Sequence, residues 1–196
     1  MIPYFCRKYN LIDILNTNVY LSNILLLPSM ILIYQIINNI HNWNIDFYKC
    51  KYFYQTFWIF VLIIFISAFA VSCIYHINMF TNNERLKIIG SWDYKLTAPL
   101  LTIIVIILSI LYYQLNYNSN EYNLIFIISI IFNLVGLSIY FSRRYLFLPM
   151  IINKRDNVLY LINHIFFHYI TYTGILLIIV LFYIDYENIY NGIYIS

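Results

Sequence analysis

The histidines of this chain follow a pattern that could bind a metal ion. His164 and His168 lie four residues apart in the segment HIFFH, and His76 closes the apolar segment AVSCIYH. A spacing of four places two side chains on one face of a helix, one turn apart, as in helices that chelate zinc through a histidine pair. Three neutral imidazoles with one open coordination position make the catalytic type of zinc site.

Two further polar residues could complete such a site. Ser72 lies one helical turn before His76, and Asp93 belongs to WDYKLT, where the next apolar stretch begins. A carboxylate beside a metal can act as a general base or orient a ligand. A serine on the same helix face as a metal ligand can form a hydrogen bond with the substrate or with groups that surround the metal ligands. Asp93 and Ser72 are therefore the candidate catalytic residues.

The composition indicates that membrane-spanning helices position these residues. The 196-residue chain is 63% hydrophobic and 10% charged, whereas a soluble domain averages roughly 25% charged residues. Its long uncharged stretches each exceed the ~20 residues that a helix needs to cross the hydrocarbon layer. We predict an all-α polytopic transmembrane helical bundle that forms one integral-membrane domain over 1–196. A cytoplasmic or interfacial segment, 1–17, precedes five spans near 18–40, 53–77, 95–115, 123–142 and 157–184.

The lysines and arginines predict the orientation of the chain. Nine of them lie in the segments 1–17, 81–95 and 143–156, and only Lys49 and Lys51 lie in the others. Positive segments are usually cytoplasmic, so the N-terminus is predicted to be cytoplasmic. The net charge of +3 then reflects topology and does not indicate nucleic-acid binding.

This orientation brings the candidate site residues to one side of the membrane. His76 comes near the inner end of the second span, Asp93 at the start of the third, and His164 and His168 in the first turns of the last. Ionisable residues inside a membrane span are functional candidates by default. Their convergence at a similar depth predicts a common site.

Other residue types carry less information. Isoleucine, asparagine and tyrosine are abundant, as in AT-rich coding sequences, so asparagine and tyrosine are weak indicators of chemistry. The three cysteines form no CxxC pair and predict neither a disulfide framework nor a zinc ribbon. The four glycines form no GxxxG motif, so close helix packing is not predicted from them.

The constellation SCIYH, WDYKLT and HIFFH resembles the CREST superfamily of seven-helix membrane hydrolases. That superfamily includes alkaline ceramidases, adiponectin-receptor-like proteins, GPI-processing phospholipases and myomaker. The segment KRDNVLYLINHIFFH, residues 154–168, is similar to the last helix of the myomaker-like branch. The family has seven crossings, whereas five are predicted here, and part of it acts in membrane fusion or signalling.

The resemblance implies a zinc-dependent hydrolase of a lipid amide or ester, with a ceramide or an acyl lipid as substrate. His76, His164 and His168 would bind the zinc, Asp93 would orient or activate water, and Ser72 would support the site.

Two alternatives stay open at this point. An organelle-encoded respiratory or haem-anchoring subunit could use His76 and a histidine of the last span as axial haem ligands. A non-enzymatic viral or structural multi-pass protein could keep the histidines as hydrogen-bonded interior groups. The sequence does not specify the lipid, the membrane or the oligomeric state.

Overall fold

A computed structural model of the chain describes residues 11–40, 48–81, 98–115, 123–142 and 158–190. Within these ranges every element is helical and no strand occurs, so the predicted all-α helical bundle is confirmed. The elements are α1 (Leu11–Leu21), a 3-10 turn (Ser22–Leu25), α2 (Leu26–Asn39), α3 (Tyr48–Thr81), α4 (Ala98–Leu115), α5 (Asn123–Ser142) and α6 (Val158–Tyr190).

Four helical units in the described ranges are long and apolar enough to cross a membrane. They are Leu11–Asn39, Tyr52–His76, Leu124–Ser142 and Val158–Asp185. The protein is therefore an integral membrane protein. The apolar part of α4, Pro99–Tyr113, is about 22 Å long, against about 30 Å of hydrocarbon. The predicted third span begins at residue 95, which lies outside the described ranges, so a crossing by α4 stays a prediction.

Helix α1 of the first membrane-spanning unit begins at Leu11, so it includes the last seven residues of the predicted cytoplasmic or interfacial segment 1–17. The start of the first span near residue 18 stays a prediction. The first turns of α1 are integrated in the bundle, since Asn16 and Val19 are buried and Val19 packs against α6. Residues 1–10 lie outside the described ranges.

A 3-10 turn interrupts this first unit in its middle. Pro28 has no backbone N–H, so it cannot donate to the carbonyl of Ile24 as a regular α-helix requires. The chain tightens over Ser22–Leu25 just before the proline. A 3-10 turn inside a helix often marks a functional position, and this one carries two adjacent polar residues, Ser22 and Asn23.

The last helix, α6, is the central element of the bundle. It packs against α1, the 3-10 turn, α2, α4 and α5, while α3 packs mainly against the first unit and α4. Trp58 and Phe65 of α3 and Ile175 of α6 belong to one apolar core, which also includes Leu26 of α2 and Leu108 of α4. The first unit therefore lies against both of the helices that carry the candidate metal ligands.

Helices α5 and α6 make the most extensive contact in the bundle. Gly136 of α5 faces the Thr171 side chain, and Gly174 of α6 faces Phe132 and Asn133. The Ser129 hydroxyl donates to the Gly174 carbonyl at 2.8 Å. The two glycines lie on different helices, and a search for a GxxxG motif within one helix cannot detect such a pair.

We predict that Gly174→Val destabilises the protein. A Cβ at this position would lie 2.8 Å from the Asn133 Nδ2 and 3.0 Å from the Phe132 Cβ, and overpacking of this kind costs about 1–3 kcal/mol. The melting temperature in detergent should fall accordingly. Ala70→Val adds bulk to an exposed position of α3 and is the matched control. Equal melting temperatures for the two variants would contradict the close contact of α5 with α6.

Candidate metal centre

Three buried histidines meet inside the bundle. His76 comes from α3, and His164 and His168 come from successive turns of α6; they are 1%, 1% and 2% exposed. One ligand nitrogen of each lies within 4.8 Å of those of the other two. The Nε2 atoms of His164 and His168 are 3.1 Å apart. The cluster is formed by residues almost ninety positions apart in the sequence.

The geometry of this cluster fits a single metal ion. With zinc–nitrogen bonds of about 2.05 Å, two ligand nitrogens of a tetrahedral site are about 3.3 Å apart, close to the 3.1 Å between His164 and His168. A ligand nitrogen of His76 lies within 4.8 Å of those of the other two histidines. Three imidazoles leave one tetrahedral position for another ligand. Haem fits less well, because its two axial ligands lie on opposite faces of a wide ring, whereas all three imidazoles here face one point.

The 3-10 turn brings two residues to this centre that the sequence analysis did not select. The Ser22 Oγ lies 2.6 Å from the Nδ1 of His168. The neighbouring Asn23 accepts hydrogen bonds through Oδ1 from the Ser72 hydroxyl at 2.9 Å and, more weakly, from the Tyr172 hydroxyl at 3.5 Å. Asn23 thereby joins the first unit to α3 and α6. The available signal was the polar pair SN inside an apolar stretch, which the general abundance of asparagine obscured.

The structure describes one of the two candidate catalytic residues, Ser72. Ser72 is 1% exposed and lies one turn from His76, as expected from its spacing. Its hydroxyl proton is directed to Asn23, so Ser72 retains lone pairs that can accept a hydrogen bond. Asp93 lies outside the described residues. It belongs to the segment that connects α3, which ends at Thr81, with α4.

Tyrosine rings surround the histidines. Tyr75 is stacked parallel to His164, with 6.3 Å between the ring centroids and 13° between the planes. The hydroxyls of Tyr75 and Tyr160 are 3.4 Å apart. Tyr172 packs on the other side against His168 at 4.9 Å. These rings limit the orientations that the imidazoles can adopt.

A mainly apolar cavity adjoins the histidine cluster. It has a volume of about 240 Å³ and lies between α4, α5 and α6. His168 and Tyr172 line one side of it, and side chains such as Val105 and Leu134 line the remainder. Thr102, Ser109 and Asn133 are among its few polar lining residues. A largely apolar ligand in this cavity would lie beside the histidine cluster at His168.

Comparisons of the chain with protein-family models, with curated proteins and with solved structures give no match.

We predict that Asn23→Ala lowers stability, because it removes the amide oxygen to which the buried Ser72 hydroxyl donates at 2.9 Å. Leaving a buried donor unsatisfied costs about 1–3 kcal/mol. Thermal unfolding in detergent measures the effect.

Asn18→Ala is the matched control for this experiment. The Asn18 side chain is part-exposed, and its Nδ2 donates to the Ile14 carbonyl of its own helix at 3.0 Å. If Asn18→Ala and Asn23→Ala reduce the melting temperature equally, Asn23 does not join the helices in the way described.

Proposed function

We propose that this protein is a zinc-dependent membrane hydrolase of a lipid amide or ester. The observation that carries the proposal is the meeting of His76, His164 and His168, whose ligand nitrogens lie within 4.8 Å of one another in a buried part of the bundle. The resemblance of SCIYH, WDYKLT and HIFFH to the CREST hydrolases supports the same function.

The cavity supports a lipid as the substrate. Its walls are mostly aliphatic and aromatic, as an acyl chain requires, and His168 and Tyr172 are among its lining residues. The carbonyl group of a lipid whose chain occupies the cavity would then come close to the histidines. Substrate could enter from the bilayer, which surrounds the helices.

Each residue of the site has a role in this proposal. His76, His164 and His168 would hold a zinc ion, which would supply Lewis-acid chemistry for hydrolysis of an amide or ester. Asp93 would accept a proton from the attacking water or orient it. Ser72, whose own proton is directed to Asn23, would accept a hydrogen bond within the site and support its geometry.

Metal analysis tests the proposed site directly. Protein purified in detergent should contain about one zinc per chain, and the double variant His164→Ala/His168→Ala should contain none, because it lacks two of three ligands. His41→Ala is the matched control, since His41 is the remaining histidine of the chain. A Soret band in the absorption spectrum, or a wild type without zinc, would refute the zinc site.

Hydrolysis is tested in vesicles that contain a fluorescent ceramide or a fluorescent diacyl phospholipid. Wild type should release fatty acid from one of them, and the double histidine variant should reduce the rate to that of protein-free vesicles. Zinc-loaded wild type that cleaves neither lipid would contradict the hydrolase while retaining the metal site.

The proposed orientation has a cytoplasmic N-terminus and places the histidine cluster toward the cytoplasmic side. Nine of the eleven lysines and arginines lie in the segments assigned to that side. Five crossings place the two termini on opposite sides of the membrane. Alkaline phosphatase fused to the C-terminus should therefore be active on the non-cytoplasmic side. Green fluorescent protein fused to the N-terminus should be fluorescent in the cytoplasm. Both termini on one side would show that α4 does not cross.

A further inference from the structure

Only one assignment of donor and acceptor satisfies both hydrogen bonds of the Ser22 side chain. Its Oγ lies 2.6 Å from the carbonyl oxygen of Val19 and 2.6 Å from the Nδ1 of His168. A carbonyl can only accept, so the single hydroxyl proton of Ser22 is donated to Val19. Toward His168, Ser22 therefore offers a lone pair, and the Nδ1 of His168 must be the donor.

This direction determines the tautomer of His168. A neutral imidazole carries one proton, and here it lies on Nδ1, which leaves a lone pair on Nε2. That Nε2 faces the Nε2 of His164 at 3.1 Å. The nitrogen that points into the histidine cluster is thus the one prepared to bind a cation.

We propose that Ser22 is a positioning residue for the metal centre, which selects the Nδ1–H tautomer of His168 and fixes the orientation of its ring. The part of this inference that concerns metal affinity rests on the proposed function. The tautomer itself is inferred from the contacts of Ser22 and can be measured without metal.

The surroundings of Ser22 make this selection effective. Ser22 and His168 are each 2% exposed, so bulk water does not compete for the Nδ1 proton. The bond from Ser22 to Val19 spans three residues, in keeping with the 3-10 turn that holds the hydroxyl in place. In metal sites generally, a ligating histidine donates its other N–H to a partner that orients the ring, and loss of the partner reduces metal affinity about 10–100-fold.

The tautomer is measured by NMR of the protein labelled with ¹⁵N at histidine, in detergent and after metal removal by a chelator. His168→Gln assigns the resonances. Wild type should show the proton of His168 on Nδ1, Ser22→Ala should lose this preference, and Ser22→Thr, which keeps a hydroxyl, should restore it. A proton on Nε2 of His168 in wild type would overturn the inference without any Ser22 variant.

Metal affinity is measured by zinc competition with a chromophoric chelator and by the visible spectrum of the cobalt-substituted protein. Ser22→Ala should weaken zinc binding about 10–100-fold, and Ser22→Thr should recover most of it. Ser29→Ala is the matched control, because Ser29 is also buried in the first unit and its Oγ has no hydrogen-bond partner among the described residues.

The outcomes separate this inference from the proposed function. Equal zinc affinity of wild type and Ser22→Ala, with an unchanged tautomer, overturns the role of Ser22 and leaves the zinc site intact. A wild type that binds no zinc but loses the Nδ1–H tautomer in Ser22→Ala refutes the zinc site and supports the selection of the tautomer by Ser22.

Discussion

The constraint on which this structure depends is that polar groups inside hydrocarbon must find their partners within the protein. Three imidazoles, two serine hydroxyls and one amide are almost completely buried where the first unit meets α3 and α6. Their contacts extend across all three elements: Ser22 reaches His168, and Asn23 reaches Ser72 and Tyr172. These hydrogen bonds connect the first unit to α3 through Ser72 and to α6 through His168 and Tyr172.

The apolar parts of the bundle complement this polar centre. Trp58, Phe65 and Ile175 belong to one apolar core, which extends to Tyr172 beside His168, and the glycines of α5 and α6 let these two helices approach closely. The cavity between α4, α5 and α6 joins the two regions, because His168 and Tyr172 are part of its lining. In the proposed hydrolase, the acyl chain of the lipid would occupy the cavity, and its amide or ester group would lie beside His168 and Tyr172.

Sequence reasoning could predict the helices and select the three histidines, since apolar length and the HxxxH spacing are local properties. It assigned residues 1–17 to a cytoplasmic or interfacial segment, and α1, which contains Asp13, begins at Leu11 within that segment. It did not select Ser22 and Asn23, because asparagine is common throughout this chain and an apolar stretch gives no measure of which residue faces which helix. The contacts of Gly136 and Gly174 were also not predicted, because the sequence does not show which residue of one helix faces another helix.

The sequence by itself determined an all-α membrane bundle and the residue types available for a metal site, because hydrocarbon thickness and helical periodicity act on each segment separately. Tertiary structure decided which polar residues meet. Helices α3 and α6 contact each other through side chains, such as Trp58 with Phe182 and Tyr75 with His164. The first unit packs against both of these helices. The tautomer of His168 likewise depends on Ser22, 146 residues away, because only the packed helices bring the hydroxyl and the imidazole together.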